Sequence, residues 1–370
     1  MSKLFSIKKD GLHKIYNILG LKFKILDKKM IIKEIKNINN RFLAVPYLEP
    51  KLMWLAEKNF TVREKLWLMS RRFYKNAGYY PNFKMPKSLN EKINWLKFNY
   101  HDPVQTICID KVLVKEWVEK KIGKKYVIPL IGTYNDVNDI DFDKLPNKFM
   151  LKTPFSAAGK GCFPVEDKQS LDIDLFKSNI SDAMQAWNNL YYYCLSRGYK
   201  DIEPKILIEE YMPIREGAAL EYKMFCFHGK MKFCLIECDY FGKHPQRAIY
   251  DSDFNNLPFK IGRFKHIKLN EKPKNYDKMV ELSEFLAKDF PHVRVDLYDI
   301  NNQIYIGEMS FTSGGGYSTF IPREWDYKIG DWLDLSKLNP DYLHIEPEFA
   351  EAAKSFISPN IVNSHTTHRD

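Results

Sequence analysis

Residues 293–310 read VRVDLYDINNQIYIGEMS. Apolar and polar residues alternate on both sides of Asn301 and Asn302, the pattern of a β-hairpin with one buried face. Each strand nevertheless carries a carboxylate, Asp296 on the first and Glu308 on the second. Their relation depends on the turn. A three-residue loop of Asn301, Asn302 and Gln303 pairs Ile300 with Ile304, Tyr298 with Ile306, Asp296 with Glu308 and Arg294 with Ser310. A two-residue Asn301-Asn302 turn sets Asp296 opposite Gly307 and moves Glu308 to the other face. Asn tolerates the left-handed backbone either turn needs, so both stay open. Like charges side by side destabilise a sheet, and a divalent cation held by hard oxygens is the usual remedy. The alternative is a pair of solvated acids on an exposed face.

The chain has 370 residues, 45% hydrophobic and 15% aromatic, enough for two or three domains with a substantial core. It contains no run of about 18 apolar residues, so no spanning helix is expected. The start, MSKLFSIKKDGLHKIYNILG, lacks a compact apolar stretch and a small-residue cleavage site, which points to the cytoplasm. The six cysteines, Cys108, Cys162, Cys194, Cys226, Cys234 and Cys238, form no CxxC pair with histidines at zinc spacing and read as small buried hydrophobes. Of the net charge of +10, residues 1–41 supply +8, from eleven Lys or Arg against three acids. The near-neutral remainder argues against nucleic acid as a partner. The segment KIYNILGLKFKILDKKMIIKEIKNI interleaves Ile, Leu and Phe with Lys at roughly helical spacing. Such a helix suits peripheral contact with an anionic membrane or a polyanionic glycan, or else docks with its lysines in solvent.

Capping boxes, Thr61 with Glu64 and Ser88 with Glu91, mark two helix starts. TICIDKVLVKEWVEKKIG reads as a third helix with Ile109, Val112, Leu113, Trp117 and Ile122 on one face. YVIPLIGTY, KFMLKTPF and KILIEEYM read as strands, 171–197 as helix, EYKMFCF and KMKFCLIEC as a hairpin around His228 and Gly229, and 277–289 as a last helix. Strands and helices without regular alternation indicate an α+β fold.

Several residues stand out. The loop KTPFSAAGKG, Lys152 to Gly161, includes Ser156, Gly159 and Gly161 and is small enough for its backbone to close over phosphates, though an ordinary surface turn has the same composition. Lys152 ends an apolar run and is placed to reach into a cleft. Glu209 and Glu210 interrupt an apolar strand; one faces inward and needs a partner, a lysine or a sugar hydroxyl pair. Lys223 lies on the face opposite Tyr222 and Met224. Arg294 shares the face of Asp296, where it is placed to hold an anion. Gly314, Gly315 and Gly316 offer backbone amides to an oxyanion, or simply a flexible hairpin exit.

The ordered series SLNEKINWLK, IDKVLVKEWV, VIPLIGTY, FDKLPNKFMLK, ILIEEYM, EYKMFCFHGK and VRVDLYDINNQIYIGEMSFTSGGG resembles the ATP-grasp superfamily, most closely its TupA-like branch, associated with amide-bond formation on bacterial surface polysaccharides. The resemblance implies two α+β subdomains sandwiching ATP. It divides the chain into a helical basic extension (1–75), an ATP-grasp domain (76–345, with a lid at about 125–210 and a metal-binding part at about 211–345) and a tail (346–370). It implies that Lys111 and Lys152 contact phosphates and that the Lys152 to Gly161 segment, with Ser156 and Gly159, forms the lid loop. Glu209 and Glu210 fall at the adenine and ribose position, Lys223 near the transferred phosphate. Asp296 and Glu308 match Mg²⁺ ligands, with Ser310 where many relatives carry an Asn. The implied reaction is ligation of a carboxylate to an amine through an acyl-phosphate, assisted by Arg294 and the Gly314 to Gly316 amides. The expected substrates are a carboxylated sugar, a uronic acid of a capsular or lipopolysaccharide precursor, and an amino acid or amino alcohol. A glycan kinase would share the nucleotide site, and a non-catalytic assembly factor would have lost it.

Overall fold

In a computed structural model of the protein, the described residues are 5–10, 13–18, 21–26, 54, 60–157, 160–185, 189–212, 220–238 and 245–355. Strands β1 (Phe5–Asp10), β2 (His13–Ile18) and β3 (Leu21–Leu26) form an antiparallel meander. The helical reading of the basic segment is therefore wrong over these strands. Phe5, Ile7, Tyr16, Ile18, Leu21 and Phe23 recur at every second position, and the register aligns Ile7 with Tyr16 and Tyr16 with Phe23. A period of two decided the matter, with Gly11 and Gly20 between the strands. Residues 27–41 of the basic segment and 356–370 of the tail lie outside the described residues.

Helices α1 (Val62–Ala77) and α2 (Leu89–Asn99) begin at Thr61 and Ser88, and both capping boxes are present. The expected third helix is two, α3 (Pro103–Ile109) and α4 (Leu113–Ile122). Asp110 causes the break, because its carboxylate accepts from the amides of Val112 (2.7 Å) and Leu113 (3.0 Å) and restarts the helix. The buried face is thus Val114 and Val118, while Leu113 is exposed.

Strands β4 (Leu130–Tyr134), β5 (Phe149–Ala157), β6 (Lys160–Val165) and β7 (Ile206–Glu210) make an antiparallel sheet in the order β4-β7-β5-β6. Helix α5 (Ile173–Ala183) covers it, burying Phe176 and Ile180 against Phe149, Leu151, Ile206 and Ile208. The continuous helix expected over 171–197 is interrupted, with a short α6 (Leu190–Cys194) as its second described piece.

Strands β8 (Glu221–Phe227), β9 (Lys230–Cys238), β10 (Gln246–Tyr250), β11 (Lys260–Ile261), β12 (Lys265–His266), β13 (His292–Ile300), β14 (Gln303–Ser310) and β15 (Phe320–Ile321) complete the strand set. Six of them form a sheet in the order β12-β10-β9-β8-β13-β14. Helix α7 (Tyr276–Ala287) packs on one face against Tyr222, Met224, Val293, Val295 and Leu297. Helices α2 and α8 (Glu324–Trp332) cover part of the other, against Phe225, Phe233 and Leu235. Strand alternation leaves Lys223, Arg294 and Asp296 on that second face, beyond the helices' cover. Helix α9 (Pro347–Ser355) packs Phe349 against Phe83 and Phe98.

The opening hairpin combines features of both expected turns. Ile300 pairs with Gln303, so the turn has two residues, Asn301 (φ 54°) and Asn302 (φ 63°). The three-residue loop and the pairs Ile300–Ile304 and Tyr298–Ile306 are not formed. Asp296 still faces Glu308, because a bulge skips Gly307 between the pairs Leu297–Ile306 and Asp296–Glu308. A Cβ on Gly307 would meet the Tyr298 ring at 2.6 Å, which is why the bulge carries glycine.

Candidate active site

Two charged clusters, one on each of the two larger sheets, make up the candidate site. On β13 and β14, Arg294 Nε donates to Asp296 Oδ1 (2.6 Å), while its Nη2 donates to Asp296 Oδ2 (2.6 Å) and Glu308 Oε1 (2.6 Å). One guanidinium thus bridges the facing carboxylates and offsets their repulsion. Burial pushes the Asp296 carboxyl up; Arg294 opposes this and the charge of Glu308 adds to it. Burial also acts on Glu308, but Arg294, Lys111 and Lys223 outweigh it and hold this carboxyl at about 2. Two facing acids driven apart in this way ionise in separate steps. Ser310 stands across the ladder from Arg294 and is buried.

Lys223 stands across β8 from Asp296, forms an ion pair with Glu221 (3.0 Å) and donates to the buried Glu237. Arg247 shares Glu237 through Nε (2.8 Å) and also donates to the Ile261 carbonyl (2.8 Å).

On the four-stranded sheet, Glu209 is 3% exposed and accepts from Lys115 (2.6 Å) and Lys152 (2.5 Å). Of the acids expected to divide between inside and outside, Glu209 is the inward one and Glu210 is exposed. Burial raises the Glu209 carboxyl, but its two lysines overcome this and lower it. Burial lowers Lys115, whereas Glu209 outweighs burial at Lys152 and raises it. Two cations share one anion, leaving a positive surplus, and Glu308 of the six-stranded sheet contributes to the raising of Lys152.

Lys115 was missed by the sequence reading. Its only signal was sequence proximity to Lys111, one of the lysines whose charge acts on Glu308. Tyr199 was also missed. Burial pushes its phenol up, with Glu308 adding to this and Arg294 opposing it.

The glycine turn does not match its expected role in full. Gly314, Gly315 and Gly316 all have positive φ (57°, 64° and 69°). The Gly315 amide, offered above as an oxyanion donor, is instead used inside the turn, donating to the Thr312 carbonyl at 2.7 Å. Three successive left-handed residues close the loop on itself. Gly161 has φ 75° next to Cys162, which pairs with Lys152; Gly159 lies outside the described residues, and for Ser156 only the β5 backbone is described. All six cysteines are free, and burial pushes the Cys108 thiol up to about 12.

Among the described residues no group of three or more His, Cys, Asp or Glu is arranged to hold a metal. The chemistry of the pair formed by Asp296 and Glu308 still fits Mg²⁺: two hard carboxylates share one cation here, and Mg²⁺ takes one or two protein carboxylates with waters and phosphate oxygens for the rest.

The sequence matches the family model of TupA-like ATPgrasp proteins over residues 91–334. The chain belongs to that family. No curated protein matches it. Among solved structures, a D-alanine–D-alanine ligase from Helicobacter pylori is similar at 15% identity and TM-score 0.35, covering 66% of this chain and 67% of the ligase. The corresponding enzyme of Bacillus anthracis complexed with ATP has 15% identity and TM-score 0.34, covering 61% and 63%. A phosphoribosylamine–glycine ligase from Thermotoga maritima has 14% identity and TM-score 0.33, covering 58% and 50%. The chain thus spans between half and two thirds of these proteins. The α+β architecture, built mainly on a six-stranded and a four-stranded sheet, is that of an ATP-grasp protein, and no helix among the described residues is long and apolar enough to cross a membrane.

Proposed function

We propose that the protein is an ATP-dependent carboxylate–amine ligase. The observation that carries this reading is the pair Asp296 and Glu308, held by a single guanidinium, together with the surplus cation where Lys115 of α4 and Lys152 of the other sheet share Glu209. A phosphate chain between the sheets would replace Glu209 as partner to the lysines, with Lys111 reaching it from the α4 side. Mg²⁺, held by Asp296 and Glu308 with Ser310 nearby, would neutralise phosphate charge when bound. Glu210 and the β7 backbone are assigned to the ribose and adenine.

In the reaction, an oxygen of the substrate carboxylate bonds to the γ-phosphorus and the bond to the ADP oxygen breaks. The amine nitrogen then bonds to the acyl carbon, the bond to the phosphate oxygen breaks, and the amine releases its proton to solvent. Lys223 balances charge at the transferred phosphoryl group. Arg294, freed from the carboxylates, holds the anionic oxygen of the tetrahedral centre. The acid we assign is a uronic acid of a surface-polysaccharide precursor, and the amine an amino acid or amino alcohol; the family's association with surface polysaccharides supports this choice. The surplus of eight positive charges in residues 1–41 supports attachment at an anionic membrane face.

The test is mass spectrometry of reactions with Mg-ATP, a panel of uronic acids and hydroxylamine as the amine. A hydroxamate with stoichiometric ADP is the expected result. ADP with a stable phosphorylated sugar would replace the ligase by a kinase, and absence of ADP with every acid would remove the reading.

A further inference from the structure

Lys97 is 5% exposed, and among the described residues its ammonium has no carboxylate partner. Its three N–H donors go instead to three oxygens on different elements: Asn94 Oδ1 in α2 (2.8 Å), the Cys194 carbonyl at the end of α6 (2.7 Å) and the Gly315 carbonyl in the glycine turn (2.6 Å). The ammonium also lies 4.7 Å from the centroid of the Tyr317 ring, over which Arg72 of α1 sits at 5.5 Å. A buried cation without an anion is costly, and three well-placed oxygens with an aromatic face are what offset that cost. An apolar side chain would fill the same volume without fixing the distance between α6 and the glycine turn.

These two segments meet a second time, where the hydroxyls of Ser196 and Thr312 are 2.7 Å apart. The Asn94 amide accompanies Lys97 by donating to the Gly316 carbonyl (2.7 Å), and a Cβ on Gly316 would come within 2.7 Å of that amide nitrogen. Both segments border the charged centre. Residues 311–317 continue directly from Ser310, and the Ser196–Thr312 contact ties segment 189–200 to them. They stand at the Ser310 end of the hairpin, whereas Lys115, Lys152 and Glu209 belong to the nucleotide side.

We propose that Lys97 is a positioning residue that sets the spacing of segments 189–200 and 311–317, the two loops framing the acceptor end of the site. This rests on the ligase reading for its consequence: Lys97 governs affinity for the acid and not for ATP. The charge matters because only a protonated amine supplies all three donors.

Hydrogen exchange of the full chain, read by mass spectrometry without ligand, tests the physical claim. Lys97→Met should speed exchange in 190–200 and 311–317 by about tenfold while β8 and β13 keep their protection. Lys97→Arg, which keeps charge and donors, should recover most of it. Binding of Mg·AMP-PNP should stay within about twofold in both variants, and in the hydroxylamine assay the KM for D-glucuronate should rise in Lys97→Met with the KM for ATP unchanged. Unaltered exchange in the two loops, a uniform rise through both sheets, or a parallel rise in the two KM values would each overturn the proposal. If Lys97→Met does not fold, Lys97→Gln is read by the same criteria. The exchange and nucleotide-binding results need no turnover, so a failure of the ligase reading is separable from a failure of this one.

Discussion

Asp296 and Asp326 are both buried acids, at 1% and 2% exposure, and they are satisfied in opposite ways. Asp296 is held by the Arg294 guanidinium, with Lys223 opposite it on β8. Asp326, in α8, is held by neutral donors: the Tyr79 hydroxyl (2.8 Å), the Asn90 amide (3.0 Å) and Asn90 Nδ2 (2.6 Å). Neutral donors on α2 and the preceding segment, once placed, have no substitute, and they make Asp326 a latch between α2 and α8. A cation can be exchanged for another cation. Partner type therefore separates the acid that serves the fold from the acid that is available to a ligand.

The comparison breaks most decisively at the second carboxylate of the pair. Glu308→Gln should lower ADP formation by about a thousandfold or more, with little change in unfolding midpoint, because the side chain is partly exposed and Arg294 keeps Asp296. Unchanged turnover in the purified variant would remove the metal assignment.

At the latch the expected effect is on stability and depends on pH. Burial raises the Asp326 carboxyl from its usual range to about 6, so the folded state binds a proton more tightly than the unfolded chain. Its stabilising contribution is complete below pH 4 and is lost as pH rises to about 6, by about 3 kcal/mol. Urea unfolding across that range should show this decline in the wild type and lack it in Asp326→Asn; identical slopes would refute the assignment.

A smaller effect is expected on the nucleotide side. Lys115→Met should weaken Mg·AMP-PNP binding about tenfold, since one of two cations shared by Glu209 is lost. Calorimetry showing wild-type affinity would leave Lys152 and Lys111 as the only phosphate lysines. The smallest effect on the site should follow deletion of residues 1–41. Turnover of soluble acids should change by less than about twofold, while cosedimentation with anionic vesicles falls. Equal sedimentation of both forms would exclude the membrane role.

Local signals in the sequence were legible where local chemistry decides structure. Thr61 with Glu64, and Ser88 with Glu91, cap their helices as read, and His228 and Gly229 turn the hairpin they were expected to turn. Asp110 shows the limit: the same side-chain chemistry that caps a helix start also split a helix whose apolar pattern looked continuous. In residues 5–26, lysines and apolar residues satisfy helical and alternating periods together, and strand pairing chose between them. That one of Glu209 and Glu210 faces inward followed from the strand, but which one, and its double lysine pairing, required α4 to be placed beside β7. Lys97 gave no signal at all, because its three partners come together only in the folded chain.

The bulge at Gly307 makes the carboxylate pair a matter of counting. A short turn alone puts Asp296 and Glu308 out of phase, and the skipped glycine restores the phase. Deleting Gly307 would leave the same pair facing in a regular ladder, with no residue skipped. Taking Gly307 into the ladder while the two-residue turn is kept would set it opposite Asp296 and turn Glu308 to the far face. The hairpin therefore stores a parity: the pair survives loss of the skipped residue and is lost when that residue is counted in.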